Sequence, residues 1–134
     1  MPRSEVKFYQ DDRRRAPVVE WLEELRITDE VAYANCVAVI HRLAAEGYAL
    51  RRPTADYLRD KIYELRAKRG RVNYRILFFF HGHSVAVLAH VLTKEDRVPA
   101  IDIERAIERR KAYEKDPKKH TYTEKGGSSH LGRT

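Results

Sequence analysis

Residues 62–94 read IYELRAKRGRVNYRILFFFHGHSVAVLAHVLTK. Three segments in this stretch, Ile62 to Lys68, Arg71 to Phe80 and Val85 to Lys94, are rich in β-branched and aromatic residues, and Arg69-Gly70 and Gly82-His83 between them are tight-turn signals. The pattern predicts a three-stranded antiparallel meander. Side chains alternate across a strand, so choosing the turns also fixes which residues share a face. With two-residue turns at both signals, Phe79 lies opposite Ala86, Leu77 opposite Leu88, Arg75 opposite His90, Asn73 opposite Leu92 and Arg71 opposite Lys94. The first turn sets Arg66 opposite Asn73 and Glu64 opposite Arg75.

One face is then apolar, with Tyr63, Leu65, Val72, Tyr74, Ile76, Phe78, Val87, Ala89 and Val91, as expected of a surface packed against helices. The other face gathers Glu64, Arg66, Arg71, Asn73, Arg75, His90 and Lys94 at one end. Toward the Gly82-His83 turn it carries Leu77, Phe79 and Leu88, which need cover from another segment such as the last helix. Arg71 opposite Lys94 is a like-charge pair that costs stability unless an anion sits between them. Lys68, Arg69 and Arg97 border the same end and widen a cationic groove able to hold several phosphates.

Working outward, Val6 to Tyr9 reads as a first strand that runs into the charged turn Asp11 to Arg15. Pro17 suits the first turn of a helix whose apolar residues Val18, Trp21, Leu22 and Leu25 recur at helical spacing to about Arg26. Thr28 or Asp29 caps a second helix to about Glu46, with Asn35, Arg42 and Glu46 on one polar stripe and Gly47 as its stop. Pro53 keeps Tyr48 to Asp60 from continuing as regular helix. A last helix starts near Pro99, with Asp102 and Glu104 early and Arg109, Arg110 and Lys111 late, and Pro117 ends it. The expected fold is α+β, a small twisted, mainly antiparallel sheet with two N-terminal helices and one C-terminal helix, the helices packed on one face. One domain, residues 1–117, is followed by a polar, flexible tail, 118–134.

The 134 residues are 43% apolar and 35% charged, enough for one modest core under a charged surface. Lys and Arg number 27 against 20 Asp and Glu, a net charge of +7 that draws polyanions. Cys36 stands alone, which excludes an internal disulfide and a multi-thiolate metal site, and on an apolar helix it reads as a small core residue. No run approaches the roughly 18 apolar residues of a membrane span. A soluble, cytoplasmic protein is expected.

Cleaving RNA without metal requires a base for the 2′-hydroxyl proton, cations for the charge building on phosphorus, and an acid for the leaving oxygen. Arg66, Arg71, Arg75 and Lys94 offer the charge, and arginine's planar fork suits two phosphate oxygens. Both His90 and Glu64 lie on the right face to move the proton. His81 and His83 sit at the far end of the hairpin, and Tyr113 is expected to pack on the sheet rather than stack on a base. There is no Walker loop, HExxH or paired-cysteine spacing, so neither a cofactor nor a metal is expected.

The run Ile62-Tyr63-Glu64-Leu65-Arg66, then Tyr74-Arg75-Ile76-Leu77-Phe78-Phe79, then His90 and Lys94, then Pro99 with Asp102-Ile103-Glu104 and Ala106, resembles the HigB-like, phage-related branch of the RelE/ParE toxins. The resemblance covers about Val6 to Lys115. It implies the toxin of a type II toxin-antitoxin system: a ribosome-dependent mRNA endoribonuclease neutralised by a helix-turn-helix antitoxin. It also implies that Arg66, Arg75 and Lys94 are the transition-state and phosphate ligands, with Arg71 as a further candidate. Family members often carry a second basic residue and a threonine after the lysine, where this chain has Glu95 and Asp96. Two other readings belong to different classes: a ParE-like DNA gyrase inhibitor, and a non-catalytic nucleic-acid-binding regulatory protein.

Overall fold

In a computed structural model, residues 3–93 and 97–123 are described. The predicted meander forms its centre. Strands β3 (Ile62–Arg69), β4 (Val72–His81) and β5 (Val85–Thr93) follow a β1 (Glu5–Phe8) and a β2 (Ala55–Arg59), and the sheet order is β1-β5-β4-β3-β2. All neighbours are antiparallel except β1, which lies parallel to β5. Helices α1 (Pro17–Thr28) and α2 (Glu30–Glu46) precede β2, a 3₁₀ turn spans Gly47–Ala49, and α3 (Ala100–Lys115) comes after β5. The architecture is α+β, consistent with a RelE-like arrangement. No described helix is long and apolar enough to cross a membrane.

The helix ends follow local chemistry. Pro17 opens α1. Asp29, rather than Thr28, caps α2, its carboxylate accepting the Ala32 N–H at 3.1 Å. Gly47 closes α2 with φ +52, a conformation that favours glycine. Asn35 on the polar stripe donates to the Lys68 carbonyl at 2.8 Å and ties α2 to β3.

The helices occupy both faces of the sheet, so their expected confinement to one face is corrected. Under α1 and α2 lie Leu65, Ile76, Phe78, Ala86 and Leu88 beside Val18, Leu22, Cys36 and Leu43. Ile76 and Phe78 are at most 1% exposed, and burial of each such side chain contributes about 1.5–3 kcal/mol. On the opposite face, Ile103, Ala106 and Tyr113 of α3 cover Ile62, Leu77, Phe79, Val87 and Ala89. The last helix is thus the expected cover for Leu77 and Phe79. Tyr113 packs on the sheet, its ring 5.5 Å from that of Phe79.

Both hairpin registers differ from expectation. The first turn is Gly70-Arg71, because Gly70 takes φ +62 at the first turn position and Arg69 pairs with Val72. This two-residue shift leaves the face assignments of Tyr63 to Lys68 and of Val72 to Phe79 intact, but it takes Arg71 into the turn and places Arg66 opposite Arg75, Lys68 opposite Asn73 and Glu64 opposite Leu77. In the second hairpin His81 pairs with Val85, so the connection is Gly82-His83-Ser84. The resulting one-residue slip moves Val87 and Ala89 to the α3 face and Ala86 and Leu88 beneath α1 and α2. An irregularity between Leu77 and Phe78 then restores the parity, with Leu77 opposite His90 and Arg75 opposite Leu92.

Residues 118–123, assigned to the tail from their polarity, belong to the packed body. His120 is buried and its ring stacks on Tyr9 at 5.5 Å, while Tyr122 N–H bonds the Phe8 carbonyl at 2.8 Å.

Candidate nucleic-acid interface

Side chains of Glu64, Arg66 and Lys68 from β3 share one sheet face with Asn73 and Arg75 from β4 and His90 from β5, as alternation along each strand requires. Arg66 and Arg75 are direct cross-strand neighbours. Like charges in that position repel, and here a carboxylate is set between them. Glu64 Oε1 accepts from Arg75 Nη1 at 2.5 Å and lies 3.7 Å from Arg66 Nε. Glu64 and Arg75 are each 5% exposed, so this is a buried ion pair, whereas the Arg66 side chain keeps 28% of its surface. Asp56 on β2 approaches Arg66 Nη2 at 3.7 Å and is bonded to Arg52 at 3.0 Å.

Arg66 Nε is buried without a hydrogen-bond partner among the described residues. That atom is shielded from solvent, so a phosphate oxygen would reach Arg66 through the exposed part of its side chain.

His90 belongs to a different network. Its Nε2 lies 2.7 Å from Asp102 Oδ1 and its Nδ1 lies 3.1 Å from Arg109 Nη1. Arg109 can only donate, so Nδ1 is the acceptor and the proton sits on Nε2, facing the carboxylate. Burial pushes the imidazole below its usual range, with Arg109 adding to the shift and the Asp102 hydrogen bond opposing it. Arg109 also donates to the Ala89 carbonyl at 2.7 Å. The three side chains fasten α3 to β5.

The remaining cations divide. Lys68 is exposed, Asn73 is half-buried opposite it, and Arg71 is exposed in the turn. Arg71 therefore has no cross-strand position opposite Lys94, and Lys94 itself lies outside the described residues. Arg97 is exposed just before α3. Arg69 was expected on the rim of this face, but its odd position in β3 turns it to the other side, where its guanidinium meets Asp29 at 3.4 Å. Cys36 is fully buried, its thiol pushed up to about 12 by desolvation.

A family model described as Phage derived protein Gp49-like (DUF891) matches residues 20–111, from α1 through most of α3. The chain belongs to this Gp49-like family. Glu64, Arg66, Arg75, His90 and Asp102 all fall inside the matched span, whereas Tyr9 and His120 lie outside it. The comparison with curated proteins returned no match.

Three polar residues of this Gp49-like chain were not among the sequence candidates: Asp56, Asp102 and Arg109. Asp102 and Arg109 share a helical stripe with Ala106 and Tyr113, so their sheet-facing position could have been read from the i, i+4, i+7 spacing. Asp56 gave no such signal, because β2 has little alternation of its own.

Proposed function

We propose that this chain is a toxin of a type II toxin-antitoxin system that cleaves mRNA on the ribosome without a metal. The supporting observation is the pair of opposed arginines, Arg66 and Arg75, with part of the Arg66 side chain open to solvent. In this reading the exposed part of Arg66 binds the scissile phosphate and stabilises the charge that builds on it, and Arg75, buried against Glu64, adds its charge from behind. Glu64 orients both, and Lys68, Arg71, Asn73 and Arg97 follow the flanking backbone. Both proton carriers considered are engaged in the resting structure, Glu64 by Arg75 and Arg66 and His90 by Asp102 and Arg109, so either must exchange a partner to move the proton. Lys94 keeps the role that the resemblance gives it.

Induced expression is expected to arrest growth and to produce cuts in translated messages. Arg66→Ala, at a half-exposed position, should abolish both while leaving the fold intact. Full toxicity of a folded Arg66→Ala variant defeats the proposal. A DNA damage response without message cleavage would instead favour gyrase inhibition. Co-expression with the product of an adjacent helix-turn-helix gene should suppress the arrest.

A further inference from the structure

Strand β2 is an edge of the sheet, and a trough built from three adjoining cavities follows it around the β2–β3 turn. The first, about 500 Å³, is lined by Tyr48, Arg51, Tyr57 and Tyr63 together with Asp56. The second, about 310 Å³, shares Tyr48 and Tyr63 and adds Lys61 and Arg110. The third, about 510 Å³, shares Lys61 and Arg110 and adds Lys111. Aromatic rings and cations therefore succeed one another along a path whose first cavity lies across the edge strand β2 from Arg66, which approaches Asp56 at 3.7 Å.

The rings are fixed in advance. Tyr57 is 53% exposed, its ring meets Tyr63 in a T-shaped contact at 5.1 Å and its hydroxyl accepts the Lys61 N–H at 3.2 Å. Tyr48 is 38% exposed, stands 4.1 Å from Phe80 and donates its hydroxyl to the Gly82 carbonyl at 2.7 Å. Tied hydroxyls on partly exposed rings give platforms whose ordering cost is already met in the free protein. The carboxylates along the trough are engaged: Asp56 with Arg52, Asp60 with Arg59 and Glu114 with Arg110. Arg51, Lys61 and Lys111 have no ion-pair partner among the described residues, so the trough presents uncompensated positive charge.

Lys61 adds an independent sign of selection for something other than stability. The connection between Arg59 and Ile62 is the two-residue turn Asp60-Lys61, and both residues have positive φ, 50° and 68°. Such turns favour Asn-Gly, and a lysine there is strained.

We propose that this trough binds single-stranded RNA, with Tyr57 and Tyr48 stacking on bases and Arg51, Lys61 and Lys111 contacting phosphates, and that it leads the strand to Arg66. Sequence-tolerant binding by alternating stacking faces and cations is a general mode for single strands. The path to Arg66 rests on the nuclease reading above; RNA binding by the trough does not.

The test is fluorescence anisotropy with a short, labelled 2′-O-methyl oligouridylate, which cannot be cleaved through its 2′-oxygen. Tyr57→Ala should weaken binding about tenfold. Lys61→Gly should also weaken it and lower the salt dependence by about one phosphate contact, while its melting temperature stays level or rises because glycine accepts the positive φ. Wild-type affinity in both variants overturns the proposal, as does polyglutamate competing as well as RNA, which would mark a surface for acidic protein. Oligonucleotide binding that depends on Tyr57, without message cleavage in cells, supports the trough and refutes the nuclease reading. Message cleavage that depends on Arg66, with binding indifferent to Tyr57 and Lys61, refutes the trough and supports the nuclease.

Discussion

Replacing Glu64 by Gln removes one charge from a buried pair and keeps the shape of the side chain. Glu64 and Arg75 are each 5% exposed and 2.5 Å apart, so the substitution strands a desolvated guanidinium. Removing one partner of such a pair costs about 3–5 kcal/mol. The lower end applies here, because Arg75 keeps other contacts and the half-exposed Arg66 loses a neighbour that it needs less. A loss of about 3 kcal/mol is a large share of the roughly 5–15 kcal/mol that holds a domain folded. At this chain length it should lower the melting temperature by about 10 °C. Urea titration should show an earlier midpoint at unchanged slope. The double variant Glu64→Met with Arg75→Met should be less destabilised than Glu64→Gln, since no charge is left buried. A cost for Glu64→Gln below about 1 kcal/mol, the level of an exposed pair, would refute the view that this carboxylate neutralises a desolvated arginine.

His90 makes stability depend on pH. Its folded value lies below the unfolded value of about 6.5, so the neutral ring is the native form. The unfolded chain therefore binds more protons, and this contribution is present above about pH 6.5 and lost as pH falls through the folded value. Unfolding free energies of wild type and His90→Gln should accordingly converge on acidification across that window; parallel curves would contradict the buried neutral imidazole. Asp29→Ala should cost about 1 kcal/mol through loss of the α2 cap, measured by urea midpoint. Leu88→Ala, at a position with no exposed surface, should cost about 2–5 kcal/mol. Cys36 should resist a thiol reagent in the native protein and react once the chain is unfolded, because only the thiolate attacks.

Residues with one polar and one apolar neighbour along the strand were legible without coordinates. From Glu64 to Ile76 the alternation is strong, and a register error of two residues left the arginine face intact. Val85 to Leu92 is apolar at every position except His90, so alternation carried no information there and the one-residue slip at Ser84 passed unseen. Strand β2 was hidden because Ala55–Arg59 mixes an aromatic, two charges and a leucine without period, and only pairing with β3 makes it a strand. The cationic cluster was visible as a set of residue types on one face. Which of them are buried and neutralised depended on Asp56 and α3, distant segments whose approach no local pattern records.

The parallel pairing of β1 with β5 has a consequence for synthesis. The first strand made must wait for Val85–Leu88 before it finds a neighbour, and Tyr9 is then clasped only after His120 and Tyr122 have left the ribosome. Long-range closures of this kind come late in folding. A nascent chain thus keeps an open sheet edge until nearly all of its described length is free, and the machine that makes it is the one it is proposed to attack.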